Sequence, residues 1–152
     1  MNKLIFALFI SIAATAAQAT EIGFMIGSQA GLSAKFGLAQ SDRAVDLGVS
    51  YHFSSDSSIS IHADYLIENA RTFPMRNANP FNLYYGIGGR LENIDNGKDS
   101  GKTRLGVRAP IGLDYKMNKP DLTFFGEIAA VLDLTPTSYV DFTVGLGARF
   151  RF

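Results

Sequence analysis

The chain has 152 residues, enough for one domain, with 14 Lys and Arg set against 14 Asp and Glu. That balance offers no basic surface to a nucleic-acid partner. The absence of cysteine excludes disulfides, thiol catalysis, thiolate metal sites and a lipid-modified N-terminal cysteine.

The first segment reads as a targeting signal. Met1-Asn2-Lys3 is a short positive start, Leu4 to Ile12 is apolar, and small residues lead to Ala17-Gln18-Ala19. The apolar run is too short to cross a membrane as a helix, and the layout is that of a cleavable secretory leader. A leader over residues 1–19, cut after Ala19, is predicted, with one mature domain over residues 20–152. Loss of Lys3 leaves 13 basic against 14 acidic side chains, a formal charge of −1.

From residue 21 onward the pattern has a period of two, the signature of strands whose faces meet different media. Ile22, Phe24 and Ile26 alternate on a first short run, and Leu32, Ala34, Phe36 and Leu38 on a second. Residues 43–53 set Val45, Leu47, Val49, Tyr51 and Phe53 opposite Ala44, Asp46, Gly48, Ser50 and His52. Residues 58–67 set Ile59, Ile61, Ala63, Tyr65 and Ile67 opposite Ser60, His62, Asp64 and Leu66. The next stretch, 68–80, holds Pro74 and Pro80 and reads as an irregular connection, because proline cannot donate within a central strand.

Regular alternation returns over residues 81–92, where Leu83, Tyr85, Ile87 and Leu91 oppose Tyr84, Gly86, Gly88, Arg90 and Glu92. Residues 93–103 form the most polar loop. Residues 104–116 alternate Leu105, Val107, Ala109, Ile111, Leu113 and Tyr115 with Gly106, Arg108, Pro110, Gly112 and Asp114. Residues 121–134 place Leu122, Phe124, Ile128, Ala130, Leu132 and Leu134 opposite Thr123, Phe125, Glu127, Ala129, Val131 and Asp133. The last run, from Tyr139, carries Val140, Phe142, Val144, Leu146, Ala148, Phe150 and Phe152 against Asp141, Thr143, Gly145, Gly147, Arg149 and Arg151.

About eight strands in a meander predict an all-β, eight-stranded antiparallel up-and-down barrel. A soluble lipocalin-like binding barrel has a similar strand count, with an apolar interior and a charged coat. Here the charges fall on the face rich in Gly, Ser and Thr, and the other face is almost wholly apolar. In water that face would be one large exposed patch; in lipid it is required. The pattern therefore predicts a transmembrane barrel with aromatic rings at its rims. Tyr65, Phe81, Tyr85, Tyr115, Phe124, Phe150 and Phe152 fall toward one rim, and Tyr51, Phe53 and Tyr139 toward the other.

The chain resembles the small outer-membrane barrels of the OmpA transmembrane domain and OmpX type. The stretch 84–90, YYGIGGR, with 106–115, GVRAPIGLDY, Phe125-x-Glu127 and the terminal Arg149-Phe150-x-Phe152, also resembles an uncharacterised family of small bacterial barrel proteins. A C-terminal Phe preceded by alternating aromatics resembles the signal read by the outer-membrane insertion machinery, carried here by Phe150 and Phe152. The resemblance implies an outer-membrane location and brings no established chemistry.

Motifs that suggest chemistry have plainer readings. Residues 97–103, GKDSGKT, lack the first glycine of a phosphate-binding loop, which the four-residue spacing would put at position 96, where the chain has Asn, and the context has no helix after it. Asp95 and Asp99 nearby do not match calcium-loop spacing. Ser60 and His62 could serve an outer-membrane lipid hydrolase, but same-face neighbours on a strand are roughly 7 Å apart, long for a nucleophile and its base. No enzymatic activity, cofactor or metal is expected. Arg108 and Glu127, inward on adjacent strands, are expected to pair, with Asp64, Arg90 and Arg149 extending a lumen charge network. The inward glycines 86, 88, 106, 112, 145 and 147 make room for the arginines in a barrel this narrow. The expected role is structural or surface-interactive, with a plugged lumen. Its expected partners are outer-membrane lipids, the insertion machinery and an external protein met through the loops.

Overall fold

The computed structural model describes residues 20–40, 42–52, 57–95 and 100–152. The leader assigned to residues 1–19 lies outside them, as do Phe53, Asn96 and residues 97–99 of the 97–103 loop. Eight strands follow in order: β1 (Thr20–Gly27), β2 (Ala30–Gly37), β3 (Arg43–His52), β4 (Ser58–Met75), β5 (Ala78–Ile94), β6 (Thr103–Asn118), β7 (Asp121–Thr135) and β8 (Tyr139–Arg151). Each pairs antiparallel with its successor, and β8 returns to β1 to close the barrel. At the seam Ile22 faces Phe150, and the Phe152 amide donates to the Thr20 carbonyl at 3.0 Å. Closure leaves the wall without a free edge, so backbone groups within it are satisfied by neighbouring strands.

The period of two sorts the side chains as the sequence predicts. Ile22, Phe24, Ile61, Ile87, Leu105, Ile128, Val144 and Leu146 stand exposed on the outer wall. Glu21, Ser33, Asp46, His62, Arg90, Asp114, Glu127 and Arg149 are buried inside. Apolar packing within the lumen is confined to small groups such as Ala44, Leu66 and Tyr84. Phe81, Tyr115 and Phe124 lie across from one another on β5, β6 and β7, with the Phe81 and Tyr115 rings 5.3 Å apart. Together with Phe150 and Phe152 they mark the rim where Thr20 and Phe152 meet.

Residues 68–80 are not an irregular connection. β4 continues to Met75, turns at Arg76 and Asn77, and returns as β5 from Ala78. Both prolines fit because neither occupies a ladder position that needs an amide. Pro74 lies in a register irregularity between Phe73 and Met75, on a part of β4 that extends past β3, whose pairing ends at Arg43 and Ile67. Pro80 lies just beyond the first β5–β6 pair, Phe81 with Tyr115. Proline is tolerated at such bulge and edge positions. Asn69, at the bulge, and Asn77, in the turn, adopt φ of 53° and 62°, a left-handed conformation that Asn accepts more readily than most residues.

Candidate functional site: the charged lumen

Among the described residues, four groups of polar side chains lie in the lumen between the rim that holds Thr20 and Phe152, the terminal rim, and the opposite, loop-bearing rim. At the terminal rim Lys35 Nζ lies 2.6 Å from Glu68 Oε1, 3.5 Å from Glu21 Oε2 and 3.7 Å from Asp114 Oδ2. Above it the Arg149 guanidinium donates to both oxygens of Asp46 at 3.0 Å and to Ser33 Oγ at 2.9 Å. The same guanidinium sits 3.7 Å above the Phe125 ring, a stacking contact open to arginine because its group is planar.

At mid-height Arg108 uses its two terminal nitrogens on different carboxylates, Asp64 from β4 and Glu127 from β7. Tyr84 Oη donates to the other Glu127 oxygen at 2.9 Å. Nearer the loop rim Arg90 holds Asp133 at 2.9 and 3.0 Å, Asp141 at 3.2 Å and Glu92 at 3.5 Å. Beside it Ser60 Oγ shares hydrogen bonds with Ser50 at 2.9 Å and Gln29 at 3.0 Å.

Four of these contacts share a geometry in which the partners are one strand apart and the strand between them offers glycine. Asp64 and Arg108 both face Gly88 in the ladder, and Arg90 and Asp133 both face Gly106. Tyr84 and Glu127 both face Gly112, and Ser33 and Arg149 both face Gly23. A Cβ at Gly88 would meet Asp64, at Gly106 it would meet Asp133, and at Gly112 the Tyr84 ring. Each missing side chain is thus the passage through which a long donor reaches its partner.

Arg108, Asp64 and Glu127 therefore form one cluster, while Arg90 and Arg149 head clusters of their own. Reading the strands singly left out Lys35, Glu21, Glu68 and Asp114 at the rim, and the acids Asp46, Asp133 and Asp141. All but Glu68 lie on the polar face of a recognised alternation or beside its end; Glu68 lay in the segment read as irregular. Phe150 and Phe152 project from the outer wall, Phe152 being 81% exposed.

Among the described residues, Asp46, His62 and Asp64 bring potential metal-binding atoms within 4.8 Å of one another. Both carboxylates are already engaged by Arg149 and Arg108, so a cation placed there would face two guanidiniums. The cluster reads as the interior of an ion-pair network. Ser60 makes its hydrogen bonds to Ser50 and Gln29, and His62 lies 4.0 Å from Asp46.

A closed eight-stranded meander, apolar outside and ion-paired inside, has the architecture of the small transmembrane β-barrels. The crystal structure of the N-terminal β-barrel domain of Pseudomonas aeruginosa OprF has the same fold, with a TM-score of 0.64 over 91% of this chain and 100% of that one. The two chains are 14% identical, so the likeness is one of fold. No family model matches the chain, and no curated protein matches it.

Proposed function

We propose that this protein is a small integral outer-membrane β-barrel with a plugged polar lumen and a structural or surface-interactive role, and that it is not an enzyme. One observation carries the reading: the polarity of a soluble barrel is inverted. Large apolar side chains cover the outer wall, while among the described residues eight carboxylates and four cationic groups are buried inside. Such a surface is costly in water and matched to hydrocarbon. Support for a plug comes from Arg108 of β6, which holds Asp64 from β4 and Glu127 from β7 inside the barrel. An ion crossing there would have to break a buried pair, which opposes steady conduction.

The partners this reading implies are outer-membrane lipids along the wall, the insertion machinery at Phe150 and Phe152, and an external protein at the loop rim. The terminal rim then faces the periplasm, and the turn at Arg76 and Asn77 lies on that side. A lipid hydrolase using Ser60 and His62 draws no support from the geometry, since Ser60 is held by Gln29 and Ser50 inside the wall.

Fractionation of cells carrying an internally tagged copy tests the proposal. The protein is expected in the outer-membrane fraction after a urea wash, with a folded band whose mobility changes on boiling. Recovery in the soluble periplasmic fraction would overturn it.

A further inference from the structure

The barrel account leaves the β4–β5 extension unexplained. The β3 ladder ends at Arg43 and Ile67, the Glu68 amide still donates to the Asp42 carbonyl at 2.8 Å, and every residue from Asn69 to Met75 is exposed. The extension therefore stands clear of the wall. Its composition is one-sided: residues 69–82 include Arg71 and Arg76 and no acidic residue. Phe73, Met75 and Phe81 are 40%, 45% and 37% exposed. Phe73 lies across from Phe81, and Arg71 across from Leu83, so this face continues the outer apolar wall. The Arg71 guanidinium lies 5.3 Å over the Phe73 ring, which places a charge beside the aromatic surface.

We propose that residues 69–82 form a lip that lies on the membrane interface and binds anionic phospholipid headgroups, with Arg71 and Arg76 meeting phosphates and Phe73, Met75 and Phe81 entering the acyl boundary. This rests on the membrane reading above. Three features select lipid as the occupant. The face is continuous with the surface assigned to hydrocarbon and with the Phe81–Tyr115–Phe124 row. Its charge is wholly positive, matching an anionic surface. Its free β4 edge carries Arg71, Pro74 and a bulge at Asn69, features that discourage pairing with a strand of another protein. Aromatic and basic side chains on one face are the combination that seats an amphipathic element in the headgroup layer.

The test uses the full mature barrel refolded into vesicles of phosphatidylcholine, or of phosphatidylcholine with a third of the lipid replaced by phosphatidylglycerol. The chain has no cysteine, so Asn77→Cys and, separately, Val144→Cys each carry one environment-sensitive fluorophore. Spin-labelled lipids quench either at the headgroup or at the acyl-chain end. The Val144 probe reports on the barrel and should be quenched by the acyl-chain label in both lipids. The Asn77 probe should be quenched by the headgroup label, more strongly in the anionic vesicles. Arg71→Gln with Arg76→Gln, both outside the barrel wall, should lower its association with anionic lipid by about fivefold per arginine.

If the Val144 probe is not quenched, the membrane reading fails and the lip with it. If it is quenched while the Asn77 probe stays in water in both lipids, the barrel stands and the lip is refuted. An unchanged response in the double-arginine variant refutes it too. So does self-quenching of the Asn77 probe that grows with protein density, which would assign the surface to a second copy.

Discussion

Arg108 is held by carboxylates from two strands, and this makes it the residue on which the lumen is most exposed to damage. A buried charge without a partner costs several kcal/mol, so Glu127→Ala is expected to lower stability by about 3–5 kcal/mol. Replacing Arg108 and Glu127 together by apolar residues of similar size should cost much less. Urea unfolding in detergent micelles of the two single variants and the double variant measures this; equal stability of Glu127→Ala and wild type would contradict it. The glycine passages give a second prediction at this scale. Gly112→Ala places a Cβ on the Tyr84 ring and against the Gly126 carbonyl, with an expected cost of about 1–3 kcal/mol. A Cβ at Gly89 meets only the Gly106 carbonyl at 3.8 Å, an ordinary contact, so Gly89→Ala should be close to neutral. Equal losses in the two variants would remove the packing explanation. The sequence makes the facing of each charge legible, because alternation assigns every residue to lumen or lipid. It leaves most partners hidden. Arg149 meets Asp46 across the strand-order interval β8, β1, β2, β3, and that contact depends on closure and register, which no single strand encodes.

At the level of elements, β3, β6, β7 and β8 are plain in the sequence because their two faces meet different media along their whole length. β1 and β2 have eight residues each, and their runs are correspondingly brief. The ends of β4 and β5 were not legible, for a physical reason. From Asn69 to Met75 both faces of β4 are exposed, so the sequence there is under no pressure to alternate, and the two prolines of the hairpin mimic a loop. The closing strand carries the prediction of this scale. The Phe152 amide completes the seam with Thr20, and Phe150 and Phe152 complete the aromatic row at that rim. Phe152→Ala, or a tag placed after it, is expected to cut the yield of heat-modifiable, membrane-embedded protein. An undiminished yield would show that the terminal Phe is incidental to insertion.

For the whole molecule, the account predicts a closed lumen with a marked bias should it be opened. Planar-bilayer recordings of the wild type should show no steady channels. Among the described residues the buried interior holds eight carboxylates against four cations, so any conduction released by Arg108→Ala should favour cations over anions. Anion preference would mean that the acids do not line the path. The rims should also be distinguishable: in intact cells a cysteine at Ser100 should label from outside and one at Asn77 should not. All these expectations share one premise, that the apolar wall faces lipid and the charged face does not. A scan of single cysteines through residues 141–148 of β8, each carrying a small fluorophore, tests it in lipid vesicles with a quencher confined to the bilayer centre. Quenching should follow a period of two, strong at Phe142, Val144, Leu146 and Ala148 and weak at Asp141, Thr143, Gly145 and Gly147. Uniformly absent quenching, or quenching that peaks on the Asp141–Gly147 face, would contradict the account.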